Sequence, residues 1–211
     1  MYIKFSANAL EELSVAVENR LSEKRYAHTV GVASAAEKIG MYCLPEALSE
    51  LSAAALLHDI SKEIEDAAQM EILHLIGGLS NSDLVSSAAH HAFTAPYVIK
   101  RDFPGFATEN ILSAVFNHTT GSPDMPLFDE IIFISDYVEE GRKYKSCIEV
   151  REELYSALSE AKDREECIMA LHKATVRALD RTIISIIESG RILNERTVHT
   201  RNAFLSRIYV R

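Results

Sequence analysis

The stretch LSELSAAALLHDISKE, residues 48–63, decides how the rest of the chain is interpreted. It opens with Leu, Ala and Ser in a run typical of a buried, closely packed α-helix. The run ends in His58 and Asp59, with Lys62 shortly after. A core helix gains nothing from these groups, because unpaired polar side chains are unfavourable when buried. Either the helix reaches the surface here, or a buried site needs them.

The rest of the chain carries the same helical periodicity. Apolar residues recur at three- and four-residue steps, and period-two alternation typical of strands never extends beyond a few residues. We predict helices over 8–21, 23–42, 48–59, 63–75, 81–91, 109–118, 126–138, 149–160 and 164–188. The predicted fold is all-α, a single helical-bundle domain over residues 1–211, with C-terminal helices at about 149–190 followed by a tail.

Composition limits the classes of partner. The net charge is −9, which argues against nucleic acid or an anionic membrane as a partner, because both attract basic surfaces. A polyanionic substrate would therefore need local positive charge from a metal or from particular Lys and Arg residues. The sequence leaves open whether the chain works alone or as a homodimer.

The cysteines and the N-terminus indicate the compartment. Cys43, Cys147 and Cys167 are odd in number and widely spaced, which is typical of free thiols in a reducing environment. The start MYIKFSANALEEL has no apolar signal-peptide core, and no apolar run is long enough to span a bilayer. We therefore expect a cytoplasmic protein.

Six polar residues stand at the ends or on the inner faces of the apolar segments. A single buried histidine is usually a satisfied core residue, but several unpaired groups on five helices indicate a shared site. They lie in the order His…His-Asp…His…His…Asp, namely His28, His58, Asp59, His91, His118 and Asp136. Imidazoles with carboxylates suit iron, manganese, cobalt or zinc, and suit magnesium alone poorly.

Six protein ligands exceed what one catalytic ion with open positions can use. They suit two divalent transition-metal ions that share a bridging carboxylate. Asp59 is the natural bridge, since it follows His58 directly.

Several stretches resemble one family of metal-dependent phosphohydrolases. RYAHTVGVASAAEKI, AAALLHDISKE, HHAFTAPYV, AVFNHTTGSPDMPLFDEIIFISDYVEEGR and TVHTRNAFL are similar to the bacterial YqeK family of the HD superfamily. The HTTG motif at 118–121 and the D-Y-x-E-x-G-R pattern at 136–142 are its most specific parts. This chain departs from the pattern at Ser135, Glu140 and the doublet His90-His91, of which His91 fits the H-x-x-x-A spacing.

The resemblance implies an HD-domain fold with its metal-binding core at about residues 20–145, and a division of the ligands between two ions, iron being the first candidate. His28, His58, Asp59 and Asp136 would hold one ion, and Asp59, His91 and His118 the other. It also implies symmetrical cleavage of diadenosine tetraphosphate into two ADP by a metal-bound hydroxide. Asp59 and Lys62 are the expected catalytic residues.

Further residues are expected to contact phosphate. Lys62 lies three residues after Asp59, which on a continuing helix places both on one face. Arg25 precedes His28 by three residues, and Arg142 follows the helix of Asp136, so both could clamp phosphates. The turn Thr119-Thr120-Gly121 would offer free backbone N–H groups. Glu139 either orients a ligand or pairs with Arg142.

Two other functions stay open from the sequence. The same metal chemistry could act on another nucleotide, a deoxynucleotide or a guanosine polyphosphate. The cluster could instead belong to a binding protein that senses metal or nucleotide without turnover. The full ligand set together with Lys62 favours an enzyme, because a sensor needs no hydroxide-generating pair of ions.

Overall fold

The computed structural model of the chain describes residues 1–209, and within that range it is built from α-helices without strands. The prediction of an all-α fold is confirmed. The helices are α1 (Ala7–Glu18), α2 (Glu23–Cys43), α3 (Leu48–Leu57), α4 (Asp66–Ile76), α5 (Asn81–Val85), α6 (His90–Asp102), α7 (Glu109–Asn117), α8 (Leu127–Val138), α9 (Lys145–Glu160), α10 (Arg164–Glu188) and α11 (Glu195–Tyr209). Short 3₁₀ turns at Pro45–Ala47, Ser87–Ala89 and Pro104–Phe106 precede α3, α6 and α7.

Helix α3 lies at the centre of the bundle, where it contacts α1, α2, α7 and α8. The side chains of Ala53, Ala54 and Ala55 are fully buried, and their small size lets the neighbouring helices approach closely. The contact with α2 is tight enough that a Cβ at Gly40 would lie 2.8 Å from Leu51 Cδ1. The Ala-rich run thus sets the distance between the helices that carry the polar cluster.

Residues 81–91 do not form the single helix that the sequence predicted. Helix α5 ends at Val85, because Ser86 leaves the helical region with φ −89° and ψ 70°, and α6 starts only at His90. His91 therefore lies in the first turn of a helix and not in the last. The prediction also missed most of α6, which contains Pro96. Burial of Phe93, Val98 and Ile99 on the core outweighs the backbone hydrogen bond that proline removes.

The C-terminal tail is helical, which the sequence analysis did not predict. Asn194 accepts a hydrogen bond from the N–H of Arg196 at the start of α11, and Phe204 is fully buried. Arg207 donates to the backbone oxygens of Pro123 and Met125. Helix α10 packs on α2 and α8, and α11 packs on α10, so the C-terminal helices share the core of the preceding ones.

Two further observations concern the surface and the thiols. None of the described helices has the combination of length and apolar character that crossing a membrane requires. Cys43, Cys147 and Cys167 are free and buried.

Candidate metal and phosphate site

The six predicted ligands converge from five elements on one buried point. His28 comes from α2, His58 and Asp59 from the turn that follows α3, His91 from the first turn of α6, His118 from the residue that ends α7, and Asp136 from α8. The side chains of His58, His91 and His118 and that of Asp59 are almost fully buried, and the other two are partly buried. His58 and Asp59 point toward the other four residues because the chain leaves the buried helix α3 in a turn at this position.

Asp59 is the centre of this cluster, with one oxygen toward each half of it. Its Oδ1 lies 3.2 Å from Nε2 of His91 and 3.7 Å from Nε2 of His118. Its Oδ2 lies 3.5 Å from Nε2 of His58 and 3.8 Å from Nε2 of His28. Nε2 of His28 in turn lies 3.0 Å from Oδ1 of Asp136. Each oxygen of this carboxylate therefore faces one pair of imidazoles, which is the geometry expected of a carboxylate that bridges two metal ions.

The imidazoles of His58 and His118 are oriented with Nε2 toward the cluster. Nδ1 of His58 donates to the Ala55 carbonyl at 2.7 Å, and Nδ1 of His118 donates to the Val115 carbonyl at 2.6 Å. Because a carbonyl can only accept, Nδ1 must carry a proton in both rings, and in the neutral imidazole Nε2 then keeps its lone pair. Metal-binding histidines are typically oriented in this way by a carbonyl or carboxylate behind the ring.

Two of these acceptors have no hydrogen-bond partner among the described residues. Nε2 of His28 and Nε2 of His58 are both buried, and neither makes a hydrogen bond within the described chain, although Nε2 of His28 lies 3.0 Å from Oδ1 of Asp136. The ligand atoms of His28, His58 and Asp136 lie within 4.8 Å of one another, as do those of His58, Asp59 and His118. Unsatisfied nitrogen lone pairs beside ionised carboxylates fit divalent transition metals, and this donor set therefore agrees with the predicted metals.

The protonation states of the cluster also fit a metal site. Burial alone would raise the pKa of Asp59, but the neighbouring imidazoles, His58 first and then His118 and His91, hold this pKa well below its usual value. Burial alone would also raise the pKa of Asp136, but the charge of Arg142 together with the neighbouring His28 and His58 holds this pKa well below its usual value. Burial and the nearby Lys62 keep the pKa of His91 well below its usual value. Ionised carboxylates beside a neutral imidazole are the protonation states that metal binding requires.

The predicted phosphate-binding cations surround this cluster. Arg25 Nη1 donates to Oδ2 of Asp59 at 2.7 Å. Arg142 donates through Nε to the backbone oxygen of Asp136 at 2.9 Å and through Nη2 to its carboxylate. Both guanidinium groups are partly exposed, so each holds a carboxylate from the solvent side.

The HD domain family matches residues 25–141, a range that contains all six clustered residues. The chain belongs to the HD-domain family. Two curated relatives are both named symmetrical bis(5′-nucleosyl)-tetraphosphatase. The one from Halalkalibacterium halodurans is 33% identical over 148 residues, which cover 69% of this chain and 76% of the relative. The one from Bacillus subtilis is 30% identical over 158 residues, with coverages of 72% and 80%.

A solved structure agrees with this assignment to the HD domain. It is described as a predicted HD superfamily hydrolase involved in NAD metabolism, from Clostridium acetobutylicum. It has a TM-score of 0.78 and 30% sequence identity with this chain, and the match covers 93% of this chain and 97% of that one. The resemblance drawn from the sequence motifs is thereby confirmed.

Within this HD domain, Lys62 reaches the cluster by a route that the sequence did not predict. Helix α3 ends at Leu57, and residues 58–63 form turns, with the N–H of Lys62 donating to the Asp59 carbonyl at 2.9 Å. The prediction of a continuing helix is therefore wrong. Lys62 nevertheless lies on the same side as Asp59, with Nζ 3.0 Å from Nδ1 of His91. Burial lowers the pKa of Lys62 against the opposing charge of Asp59.

The HTTG turn contacts the cluster through threonine and not through glycine. Thr119 Oγ1 lies 3.1 Å from Nε2 of His91, and Thr120 is buried. The N–H of Gly121 donates to the Asn117 carbonyl at 2.8 Å, so the expectation of a free N–H at this position is wrong. Gly121 has φ +70°, and a Cβ there would lie 2.6 Å from Thr200 Cγ2. This glycine is needed for the close approach of α11.

Two residues behind the HD cluster have positions that the sequence did not settle. Glu139 Oε1 lies 3.1 Å from Nδ1 of His28, so of the two predicted roles the contact fits orientation of a ligand. Arg151 on α9 was not predicted. It donates to the backbone oxygens of Val138, Glu139 and Arg142 and so fixes the turn that carries Glu139. Its only signal in the sequence is a charged residue on the buried face of α9.

The other histidines lie outside the cluster, as the sequence predicted. His74 and His199 are exposed. His90 is buried with Nε2 2.9 Å from the Leu84 carbonyl, and His172 pairs with Glu130. The doublet is therefore resolved geometrically, because His91 faces Asp59 and His90 faces away from it.

Proposed function

We propose that this chain is a metal-dependent hydrolase that cleaves diadenosine tetraphosphate symmetrically into two ADP. The observation that carries the proposal is the position of Asp59 between two pairs of histidines, with one carboxylate oxygen toward each pair. The names of the curated relatives support the substrate. The negative charge of the whole chain beside a cationic rim at the cluster supports a small polyanion and not nucleic acid.

The proposed metal ligands divide into two sets that share Asp59. One set is His28, His58, Asp59 and Asp136, and the other is Asp59, His91 and His118. Divalent ions held there supply Lewis acidity toward the phosphoryl oxygens and a water nucleophile that is active at neutral pH. Iron is the first candidate, and manganese, cobalt and zinc share the required preference for imidazole and carboxylate.

The chain's own cations bind and orient the polyphosphate. Arg25 and Arg142 lie at the rim of the cluster, where a planar guanidinium can hold two phosphate oxygens at once. Lys62 is the proposed donor to the phosphoryl oxygen that gains negative charge as the leaving group departs. Thr119 and Thr120 are proposed to contact phosphate through their side chains or backbone, and Gly121 contributes the shape of the turn.

The reaction joins one water oxygen to one of the two central phosphorus atoms. The bond from that phosphorus to the central bridging oxygen breaks, so one ADP leaves with the bridging oxygen and the other keeps the oxygen from water. Hydrolysis in ¹⁸O-labelled water should therefore place label in one ADP of each pair. The appearance of AMP and ATP would refute the proposed register, and absence of cleavage would refute the substrate.

The same preparation separates this function from its rivals. Purified protein should contain about two transition-metal ions per chain, measured by elemental analysis, and should turn over diadenosine tetraphosphate faster than mononucleotides or guanosine polyphosphates. A protein that binds metal and nucleotide without turnover would be the sensor. The proposal includes a single working HD domain over residues 1–211 and a cytoplasmic location, which the three free thiols support.

A further inference from the structure

Two cavities adjoin different members of the cluster. The first, the tyrosine cavity, has a volume of about 1090 Å³ and lies between α2 and residues 139–144, with Tyr144 and Tyr155 in its wall. The second, the isoleucine cavity, has a volume of about 600 Å³ and lies between residues 85–89 and 190–194, with Ile186 and Ile192 in its wall. Pockets for small ligands range over roughly 300–1,000 Å³, so each is large enough for one nucleoside.

The two cavities meet at the phosphate-binding cations. Arg25 and Arg142 line both of them. The tyrosine cavity reaches the cluster at His28, whereas the isoleucine cavity reaches it at Asp59, His91 and Asp136. A polyphosphate that runs from one cavity to the other therefore has its middle over the cluster, between the two arginines.

Both cavities are lined by more basic than acidic side chains, although the chain as a whole is acidic. The tyrosine cavity is lined by five cations (Lys24, Arg25, Lys38, Arg142 and Lys143) against two acids, Glu139 and Glu140. The isoleucine cavity is lined by four cations (Arg25, Lys62, Arg142 and Arg191), and its two acids, Asp59 and Asp136, belong to the cluster. The net charge of the whole chain is −9, so positive charge is concentrated where a polyphosphate would lie.

Each cavity also exposes apolar surface suited to a purine. Tyr144 is 71% exposed, which leaves an aromatic ring available for stacking. Val85 and Ile192 are 54% and 60% exposed at the wall of the isoleucine cavity. Apolar side chains in a cavity wall beside a few charged groups are the usual lining of a site that binds a small ligand.

We propose that the tyrosine cavity and the isoleucine cavity are two separate nucleoside subsites, one for each half of a dinucleoside tetraphosphate. This inference rests on the proposed function. The arrangement makes symmetrical cleavage a consequence of binding, because a nucleoside held on each side places the central anhydride at the junction of the cavities. A substrate with one nucleoside would fill only one of them.

Steady-state kinetics on Tyr144→Ala and Ile192→Ser test the inference. Tyr144→Ala should raise the KM for diadenosine tetraphosphate about 5- to 150-fold, the loss expected for one base–aromatic stack. Ile192→Ser should raise this KM by about tenfold, since it removes apolar contact from the other base. The two effects should multiply in the double variant, because independent sites are additive in free energy. The kcat of each variant should stay at the wild-type value.

Two controls isolate the nucleosides from the phosphates and from folding. Inorganic tripolyphosphate, which has no nucleoside, should inhibit the wild type and both variants with the same constant. Tyr209→Ala removes a tyrosine that is 78% exposed and lines neither cavity, and it should leave the KM unchanged.

The outcomes separate this inference from the proposed function. If the wild type leaves diadenosine tetraphosphate intact, the proposed function fails and the subsites with it. If the wild type cleaves it but either cavity variant keeps the wild-type KM, the function stands and the two-subsite inference is overturned. An equal loss of tripolyphosphate inhibition would also overturn it, since the variant would then act on the phosphates.

Discussion

Glu139→Gln tests whether a residue outside the proposed ligand set positions His28. The Glu139 carboxylate is buried, accepts the N–H of Gly141 through Oε2 and lies 3.1 Å from Nδ1 of His28 through Oε1. Glutamine keeps the size of the side chain but offers one acceptor oxygen in place of two. Either the His28 ring or the Gly141 N–H then loses its acceptor, and His28 loses the negative charge behind it.

The expected result is a loss of metal affinity. Outer partners of metal-binding histidines are typically worth about 10- to 100-fold in affinity or activity. At 25 °C this corresponds to about 1.4–2.7 kcal/mol. Calorimetric titration of metal-stripped protein with Mn²⁺ should show the decrease directly, without reliance on turnover.

Gly31→Ala provides an independent route to the same perturbation. A Cβ at Gly31 would lie 2.6 Å from Oε2 of Glu139 and 3.3 Å from its Cδ, so the carboxylate must move. Gly105→Ala is the matched control, because a Cβ there meets no atom within 4 Å. If Glu139→Gln and Gly31→Ala both bind Mn²⁺ as tightly as Gly105→Ala, the contact with His28 has no positioning role and the reasoning fails.

Three further predictions concern the cluster and the core. Asp59→Ala should lose both metal ions and activity, because it removes the shared carboxylate, and a chelator-stripped variant with full activity would contradict the mechanism. Lys62→Ala should keep its metal in elemental analysis but lose about 100- to 1,000-fold in turnover, with partial rescue by Lys62→Arg, whereas His118→Ala should lose metal and activity together. Unchanged turnover in Lys62→Ala would show that this lysine has no role in catalysis. Burial raises the pKa of Asp129 to about 6 despite hydrogen bonds such as that from Asn117, so folding favours the protonated form and wild-type stability falls as pH rises from about 4 to 6. Asp129→Asn should remove this pH dependence, so that by pH 7.5 its free energy of unfolding in urea exceeds that of the wild type by up to roughly 3 kcal/mol. If the free energies of unfolding of the two proteins change in parallel with pH, the pKa assigned to Asp129 is refuted.

Local sequence patterns were sufficient for the fold class and for the members of the cluster. Caps such as Thr108 and periodic apolar residues depend on contacts within three or four positions, so the sequence carries them directly. His58 and Asp59 could be singled out for the same reason, because polar groups at the end of a run such as Ala53–Leu57 need a partner wherever they are buried. Nothing in that local pattern depends on how the helices pack.

Only the tertiary structure decided which atoms face one another. Glu139 and His28 are 111 positions apart, and their contact exists because α2 and α8 lie side by side. Packing also formed α6 in spite of Pro96, and it brought Thr200 of α11 against Gly121. Such contacts depend on the relative placement of several helices, which is set by the sum of their buried surfaces and leaves no periodic signal along the chain. The sequence therefore determined which groups require a buried partner, and the packing of the bundle decided that Asp59 stands between two pairs of histidines.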